Sequence, residues 1–366
     1  MSEHDEALPL QSRRNILRAS ALAALGASAL AACSTSGGKS AAATPGATAS
    51  NPAPSTGTYD YSGLKGKTVG VVGVAITSES VGRIAKTAQQ LGKENGFQVD
   101  VVDTNGDYKR ASDTLKLFAD KGYAAVIGAV VDPNLMKEGA QALADRKIPL
   151  GGCFAGGTVG DLSFDVTSDE WISGARVGTY AAQRLAAAGR EGGVAILNWT
   201  PVPALVIREA QWRAMLDFHK IPVLDRFELK VPGQVVDTGR ITTDLLTKYP
   251  ANGKLLAILA GWDEVGLAAS NAVKAAGRKD VFVVSIDGNL GAFDAIRNGD
   301  PLKATCANDM ATVTRACLSE LSNLVGGGKL TARTVYVDAP LITASNVPPQ
   351  GQFPTGTGVT PFYTGA

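Results

Sequence analysis

Short apolar runs alternate with longer segments of helical period from about residue 67 to about residue 340. Most of the short runs are apolar at every position, which is typical of parallel strands covered on both faces. Between the first two runs, apolar residues recur at helical spacing from Val81 to Leu91, and Gly96 then ends the helix as a C-terminal cap. The alternation predicts βαβ units and parallel sheets, and hence an α/β fold. The predicted strands are 68–74, 99–102, 124–127, 149–153, 193–198, 223–229, 256–259, 281–286 and 304–307.

The predicted strands are too numerous for one ordinary sheet of roughly five or six strands. They divide near Ser168 and Asp169, about halfway through the folded part of the chain. We therefore expect two similar doubly wound, parallel-sheet lobes. In open α/β sheets ligands bind beyond the carboxyl ends of the strands, so two facing lobes would share one cleft.

The first 32 residues have the pattern of an export signal. The run Ser12-Arg13-Arg14-Asn15-Ile16-Leu17-Arg18 precedes an Ala/Leu-rich stretch that ends at Ala32. The paired arginines favour the twin-arginine export route, with the general route as the alternative. An apolar stretch of about 14 residues is too short for a membrane span, which needs about 20.

The sequence Leu30-Ala31-Ala32-Cys33 at the end of this stretch looks like a bacterial lipobox. It predicts that Cys33 carries a lipid that anchors the exported protein to the outer face of the cytoplasmic membrane. The alternative is a small-residue cleavage site with an incidental cysteine. Residues 33–66 are predicted to be a flexible tether, because their first part is rich in Ser, Gly, Ala, Thr and Pro and has little apolar surface to bury.

Charge and cysteine content exclude several classes of protein. Lys and Arg number 35 and Asp and Glu 34, so the net charge is +1, which gives no electrostatic footprint for nucleic acid. Cys153, Cys306 and Cys317 have no paired Cys-x-x-Cys spacing, so neither a disulfide framework nor a zinc site is predicted. A Cys306–Cys317 bridge and buried free thiols both remain open. No metal or cofactor is expected.

Five segments of the chain form a recognisable set: FQVDVVDTNGD (97–107), VTSD (166–169), REAQW (208–212), GWDEVGLA (261–268) and VVSIDG (283–288). By these segments the chain resembles, from about residue 67 to residue 347, the type I periplasmic binding proteins of the ribose-binding group, in which they have the same order and spacing. The resemblance implies two lobes that close around a small polar ligand, with a sugar or polyol as the expected class.

The resemblance also implies a three-segment hinge, because the family's chain crosses between its lobes three times. On this sequence the crossings fall near Ser168, near Ala307 and at 336–338. Lobe one would comprise 67–168 plus 308–335, and lobe two would comprise 169–307 plus 338–347. The tail, 348–366, is rich in Pro, Gly and Thr, and it either lies against a lobe or stays mobile.

Four polar residues are ligand-binding candidates. Arg208 matches the arginine that in the family donates from a helix to ligand hydroxyls or the ring oxygen, a role suited to its planar fork. Asp287 matches the carboxylate that accepts hydrogen bonds from vicinal hydroxyls. Asn308 matches an amide-bearing hinge position, and Asp132 follows a predicted strand. A surface arginine and an ordinary turn aspartate are the alternatives for the first two.

Three positions depart from the ribose-binding pattern. Trp262 stands where family members present a polar side chain, and Phe154 stands where sugar binders often have an aspartate. Both aromatics could form walls of the pocket, since rings stack on the C–H faces of sugars, or could simply be buried. The loop at 76–80 lacks the pair of phenylalanines and has Glu79 instead, which is a further ligand-binding candidate. These departures place ribose in doubt and favour another sugar, a linear polyol or another small polar ligand.

The resemblance implies delivery of the ligand to the membrane permease and ATPase of an ABC importer, by a protein expected to be a monomer. One alternative is a sensory binding protein that presents its ligand to a receptor. Another is a cleft enzyme acting on a carbohydrate. We do not expect catalysis, because after export the chain has a single histidine, His219, and no Gly-x-Ser-x-Gly motif.

Overall fold

The structure is a computed structural model that describes residues 58–156, 160–189, 191–354 and 358–363. The predicted export signal, Cys33 and the tether up to residue 57 lie outside these residues. The last part of the predicted tether is folded, because Tyr61 and Leu64 are buried in the first lobe and the Gly63 N–H donates to Ser322 Oγ at 2.9 Å. The tether boundary predicted at residue 66 was therefore too late.

The described part of the chain forms two parallel-dominated sheets with helices on their faces. The strands are β1 (Thr68–Gly73), β2 (Gln98–Asp103), β3 (Ala125–Ala129), β4 (Leu150–Cys153), β5 (Phe164–Ser168), β6 (Gly193–Asn198), β7 (Val223–Glu228), β8 (Leu255–Ala260), β9 (Phe282–Asp287), β10 (Leu302–Ala307), β11 (Thr334–Val337), β12 (Leu341–Thr343) and β13 (Val359–Tyr363). The α-helices are α1 (Glu79–Asn95), α2 (Tyr108–Asp120), α3 (Lys137–Asp145), α4 (Glu170–Ala188), α5 (Pro203–Phe218), α6 (Gln234–Lys248), α7 (Asp263–Ala275), α8 (Leu290–Arg297) and α9 (Met310–Val325).

The first sheet has the strand order β13-β11-β5-β4-β3-β1-β2, and the second has the order β12-β10-β9-β8-β6-β7. Neighbouring strands are parallel except at one edge of each sheet, where β13 pairs antiparallel with β11 and β12 with β10. The central strands are buried along their whole length, as β3, β6 and β8 show. This is the two-lobed, doubly wound α/β architecture that the alternating pattern predicts.

The chain crosses from one lobe to the other after β5, after β10 and between β11 and β12, at the three predicted places. It also makes a fourth connection, which sequence reasoning missed, because β12 belongs to the second sheet and β13 to the first. Within this connection Phe353 packs edge-on against Phe293 of α8, with ring centroids 6.2 Å apart. The guanidinium of Arg83, on α1, lies 3.6 Å over the Phe353 ring. The described part of the tail thus contacts both lobes.

The three cysteines within the described residues are buried free thiols in two different cores. Cys306 lies in the second lobe, whereas Cys153 and Cys317 lie together in the first. A Cys306–Cys317 bridge is therefore inconsistent with the fold. Burial raises the pKa of the Cys306 thiol to about 12, so this group is uncharged at neutral pH.

None of the helices within residues 58–156, 160–189, 191–354 and 358–363 is long and apolar enough to cross a membrane.

Candidate ligand-binding site

A cavity lies between the two lobes. All of its lining residues follow the carboxyl ends of strands or stand near the start of the next helix. This is the position at which open α/β sheets bind ligands. The lining residues are Val74, Ala75, Ser78, Ser80 and Val81 after β1, Val130 after β3, Phe154 after β4, Trp199 and Val202 after β6, Ala204, Leu205 and Arg208 on α5, Val231 and Gln234 after β7, Trp262 after β8, Asp287 at the end of β9, and Asn308 and Met310 after β10.

Arg208 is 3 % exposed and is held by carboxylates on two sides. Its Nε donates to Glu170 Oε2 at 2.6 Å and its Nη2 to Glu170 Oε1 at 2.9 Å, which is a bidentate pair. Its Nη1 donates to the Gly261 carbonyl at 2.8 Å and to Asp287 Oδ1 at 3.1 Å. Burial alone would lower the pKa of the guanidinium, but the two carboxylates more than offset this and raise it. Of five N–H groups, Arg208 thus has about one left for a ligand.

The pairing of Arg208 with Glu170 depends on the close approach of α4 and α5. A Cβ at Gly174 would lie 2.9 Å from the Gln211 Cβ and 3.1 Å from the Arg208 Cα, and a Cβ at Gly178 would lie 3.2 Å from Met215. Glu170 is the first residue of α4, and the side chain of Asp169 caps this helix by accepting from the Ile172 N–H. Glycines one turn apart thus let the Arg208 side chain reach the beginning of α4.

Asp287 ends β9 with a backbone φ of 146°, and Gly288 follows with a φ of 71°. A Cβ at position 288 would lie 2.4 Å from the Ala307 Cα, so only glycine fits this approach to β10. Asp287 Oδ1 accepts from Arg208 and, at 3.4 Å, from Asn308 Nδ2. Within the described chain no donor reaches Asp287 Oδ2, and the buried Asn308 Oδ1 also lacks a partner. These two oxygens are acceptors still available at the cavity.

The electrostatic environment of Asp287 is acidic. Burial raises the pKa of its carboxyl from 3.8 to about 7. Arg208 acts to lower this pKa, but the nearby carboxylates of Asp263 and Glu170 act to raise it and so partly cancel the effect of Arg208. Asp263 is fully buried, and burial also raises the pKa of its carboxyl. It accepts hydrogen bonds from the Ser285 hydroxyl, from Thr305 Oγ1 at 2.8 Å and from the Asn289 N–H at 2.7 Å. Asp263 therefore fixes the loop behind Asp287 and was not assigned a role from sequence.

Both predicted aromatic residues lie in the cavity wall, with Phe154 2 % and Trp262 8 % exposed. Trp199, which follows β6, lines the wall as well. Phe154 and Val130 follow neighbouring strands of the first sheet, and both have left-handed backbones, with φ values of 63° and 56°. Left-handed φ is uncommon for any residue other than glycine and is a clear outlier for a β-branched one.

Two predicted site residues lie outside the cavity lining. The side chain of Asp132 accepts from the Asn134 N–H and so caps the short 3-10 helix Pro133–Leu135. Glu79 is the first residue of α1, and its Oε1 accepts from the Leu290 N–H of α8 at 3.1 Å. Ligand contact by Asp132 and Glu79 therefore stays a prediction, and in the structure each of them caps the beginning of a helix.

Glu79 takes part in a reciprocal contact between the lobes, which we call the Glu79–Glu264 clasp. The Glu79 carboxylate of the first lobe caps α8 of the second, and the Glu264 carboxylate of α7 accepts from the Glu79 N–H at 3.1 Å. Gln234 Nε2 donates to the other oxygen of Glu264 at 3.1 Å. Each carboxylate thus meets the positive end of a helix in the opposite lobe. The two lobes are in contact at the mouth of the cavity.

Sequence reasoning missed three polar residues of the lining, Ser78, Ser80 and Gln234, and most of its aliphatic residues. Ser78 and Ser80 flank Glu79 in the loop that was noted as a departure from the ribose-binding pattern. The signal that could have found them is position, since each follows a predicted strand by a few residues. What the sequence did not reveal is which side chains of that loop turn inward.

The comparisons with known proteins agree with this geometry. Residues 69–329 match the family model described as "Periplasmic binding protein domain". The ribose import binding protein RbsB of Haemophilus influenzae is 25% identical over 264 residues, which cover 70% of this chain and 84% of that protein. The xylitol-binding protein of Mycolicibacterium smegmatis is 24% identical over 264 residues, with coverages of 70% and 71%.

Solved structures share the fold. An ABC transporter solute binding protein from Agrobacterium vitis with bound allitol has a TM-score of 0.69 at 23% identity, covering 78% of this chain and 97% of that one. One from Bacillus halodurans with bound myo-inositol has a TM-score of 0.68 at 21% identity, with coverages of 78% and 96%. Since the family model spans well over half of the sequence and the two lobes have the expected connectivity, the chain belongs to the periplasmic binding protein family and has its type I fold.

Proposed function

We propose that this protein is an extracytoplasmic solute-binding lipoprotein that captures a small polar ligand of the sugar or polyol class and delivers it to an ABC importer. The observation that carries the proposal is the cavity between the lobes, with Asp287 Oδ2 and Asn308 Oδ1 as acceptors that have no protein donor. Ligand hydroxyls are the donors that this pair of oxygens would accept. Two relatives, a ribose import binding protein and a xylitol-binding protein, support the same ligand class.

In this proposal Asp287 and Asn308 accept from the ligand, the remaining N–H of Arg208 donates to it, and Phe154 and Trp262 pack against its C–H faces. Arg208 acts mainly by holding Asp287 in place, since most of its donors already bond protein oxygens. Hydrogen bonds to charged groups contribute about 1.5–3 kcal/mol each. Two or three of them supply much of the roughly 8 kcal/mol that corresponds to micromolar affinity.

Capture proceeds by closure of the lobes. The Glu79–Glu264 clasp and a bond from Tyr108 Oη to the Pro201 carbonyl, at 2.8 Å, join the lobes in the closed arrangement. A ligand that contacts both walls adds free energy to the closed form only, and thereby shifts the equilibrium towards it. The permease would then recognise the closed surface. Cys33 would hold the protein at the membrane through its lipid.

Isothermal titration calorimetry of the purified protein against pentoses, hexoses and linear polyols tests the binding proposal. We expect micromolar or tighter binding of at least one compound, with small-angle scattering showing compaction and mass spectrometry recovering the compound unchanged. Absence of binding across the three classes, or conversion of the compound, would contradict the proposal. Membrane fractionation of the full chain and of Cys33→Ser tests the anchor, and equal partition of the two proteins would exclude it.

A further inference from the structure

The cavity wall is mainly apolar. Twelve of its eighteen lining residues are aliphatic, aromatic or methionine, and they come from both lobes. The polar lining residues are Ser78, Ser80, Arg208, Gln234, Asp287 and Asn308. A ligand enclosed here would meet apolar surface over most of its own area.

Several of the polar groups in the lining already bond the protein. Gln234 Nε2 donates one N–H to Glu264, and the hydroxyls of Ser78 and Ser80 lie 3.4 Å apart and share one hydrogen bond, which leaves one O–H of this pair. Arg208 has about one N–H to spare. Three of the polar side chains are joined in one patch, because Asp287 Oδ1 accepts from both Arg208 and Asn308. We call this patch the Asp287 patch. It offers a ligand two or three hydrogen bonds at one place in the cavity.

A fully hydroxylated pentose or hexitol carries more hydroxyls than the Asp287 patch can satisfy. Each hydroxyl that is buried against the apolar wall without a partner weakens binding by about tenfold or more. An apolar substituent at the same place gains affinity, since its area leaves water. The lining therefore favours a ligand with few hydroxyls beyond those that reach the Asp287 patch.

The backbone of the wall supports the same conclusion independently. Val130 and Phe154 both line the cavity with left-handed φ values, of 56° and 63°. Asparagine adopts this conformation with far less strain than a β-branched or bulky residue. An asparagine at either position would also place an amide at the cavity. The chain instead keeps an apolar side chain at both positions, and residues held in such conformations cluster at sites of function.

We propose that the ligand is amphipathic, a deoxy-, alkyl- or alkylthio-substituted sugar or short polyol. Its vicinal hydroxyls bond the Asp287 patch, and its apolar substituent lies against the wall that includes Val130, Phe154 and Trp262. This inference rests on the proposed function and specifies the ligand class of the same cavity. Val130 and Phe154 act in it as specificity-determining residues.

Matched pairs of probes test the inference on the purified protein by calorimetry. D-Ribose is compared with 5-deoxy-D-ribose and 5-methylthio-D-ribose, and hexitols are compared with 1,2-hexanediol. We expect each substituted probe that binds to bind at least about tenfold more tightly than its hydroxylated partner. Equal or tighter binding of the hydroxylated partners would overturn the inference and leave the proposed function standing. Failure of all probes of both kinds would count against the proposed function itself, and against the inference with it.

The variant Val130→Asn tests the wall directly, since its side chain is of similar size and suits the backbone. We expect unchanged or higher thermal stability and a loss of at least about fivefold in the preference for the substituted probe. Lys220→Asn is the matched control, because Lys220 has a φ of 56° and is exposed in the second lobe, outside the cavity lining. It should keep the full preference. A Val130→Asn protein that is folded and retains the preference unchanged would show that the wall does not select the ligand.

Discussion

Replacing Arg208 by methionine should destabilise the ligand-free protein strongly. Methionine fills much of the same elongated space without charge. The change leaves Glu170, whose side chain is 1% exposed, and Asp287, whose side chain is 7% exposed, without their cation. In the folded protein both carboxylates are removed from water, and the Arg208 guanidinium compensates the free-energy cost of burying their charges. The residue identified from sequence as a ligand donor is thus first of all a structural element of the second lobe.

The magnitude follows from the burial of this pair. Removing one partner of a buried ion pair costs about 3–5 kcal/mol, because an uncompensated charge remains in the interior. At about 2–4 °C per kcal/mol for a chain of this size class, the melting temperature should fall by about 6–20 °C. The loss should shrink as the pH is lowered from 7.5 to 5, since burial raises the pKa of Asp287 to about 7 and its protonation removes one of the stranded charges.

Urea and thermal unfolding of the ligand-free protein, followed by circular dichroism at several pH values, measure this loss. Arg240→Met is the control, because Arg240 forms ion pairs with Asp237 and Asp244 while its side chain is 64% exposed. That variant should stay within about 1 kcal/mol of the parent. An Arg208→Met protein as stable as the control, or one whose loss is independent of pH, would refute the reasoning.

Three further predictions concern protonation, closure and the thiols. The pKa of Asp287 in the folded protein is raised from 3.8 to about 7, so between these values the folded protein holds a proton that the unfolded chain has lost. The contribution of Asp287 to stability should therefore decline as the pH rises from about 4 to about 7 and stay constant above that. The difference in urea midpoint between the parent and Asp287→Asn measures this contribution, and a difference that does not change with pH would contradict the prediction. Glu79→Gln and Glu264→Gln should each raise the ligand dissociation rate by about two- to tenfold, because each weakens a charge-assisted cap in the Glu79–Glu264 clasp. Stopped-flow tryptophan fluorescence measures this rate, and Glu138→Gln, at an exposed ion pair, is the control. Equal dissociation rates in all of these proteins would show that the clasp does not stabilise the closed form. Ellman's reagent should label Cys306 only after unfolding, and rapid labelling of the native protein at this residue would contradict its burial.

The sequence predicted the fold well because its main signal is physical and local. Runs that are apolar at every position predict central parallel strands, because such strands are covered on both faces. Each predicted strand matches an observed one within two residues at either end. The strands that were missed are β5, β11, β12 and β13. The last three are edge or near-edge strands whose pairing depends on distant residues, as β11 shows by lying between β5 and β13. Such short segments carry little pattern of their own.

The site was predictable in outline and not in detail. The family resemblance, together with position after a strand, pointed to Arg208, Asp287, Trp262, Phe154 and Asn308, and all five line the cavity. It could not reveal that Glu170, 38 residues away, occupies two of the five Arg208 donors, since that contact follows from how closely two helices pack. Glu79 and Asp132, which follow predicted strands in the same way, lie outside the cavity lining. Side-chain direction at a helix start is decided by the nearest unsatisfied N–H groups, and these are known only from the fold.

The stacking of Phe353 has a mechanical consequence. A hinge made of three strands alone would leave the two halves of the molecule free to swing apart. Here the ring of Phe353 is held between the Arg83 guanidinium on one half and Phe293 on the other. Separation of the two halves would have to break either the contact of Arg83 with this ring or that of the ring with Phe293. The carboxyl-terminal segment therefore adds a restraint on opening to that of the three crossing strands.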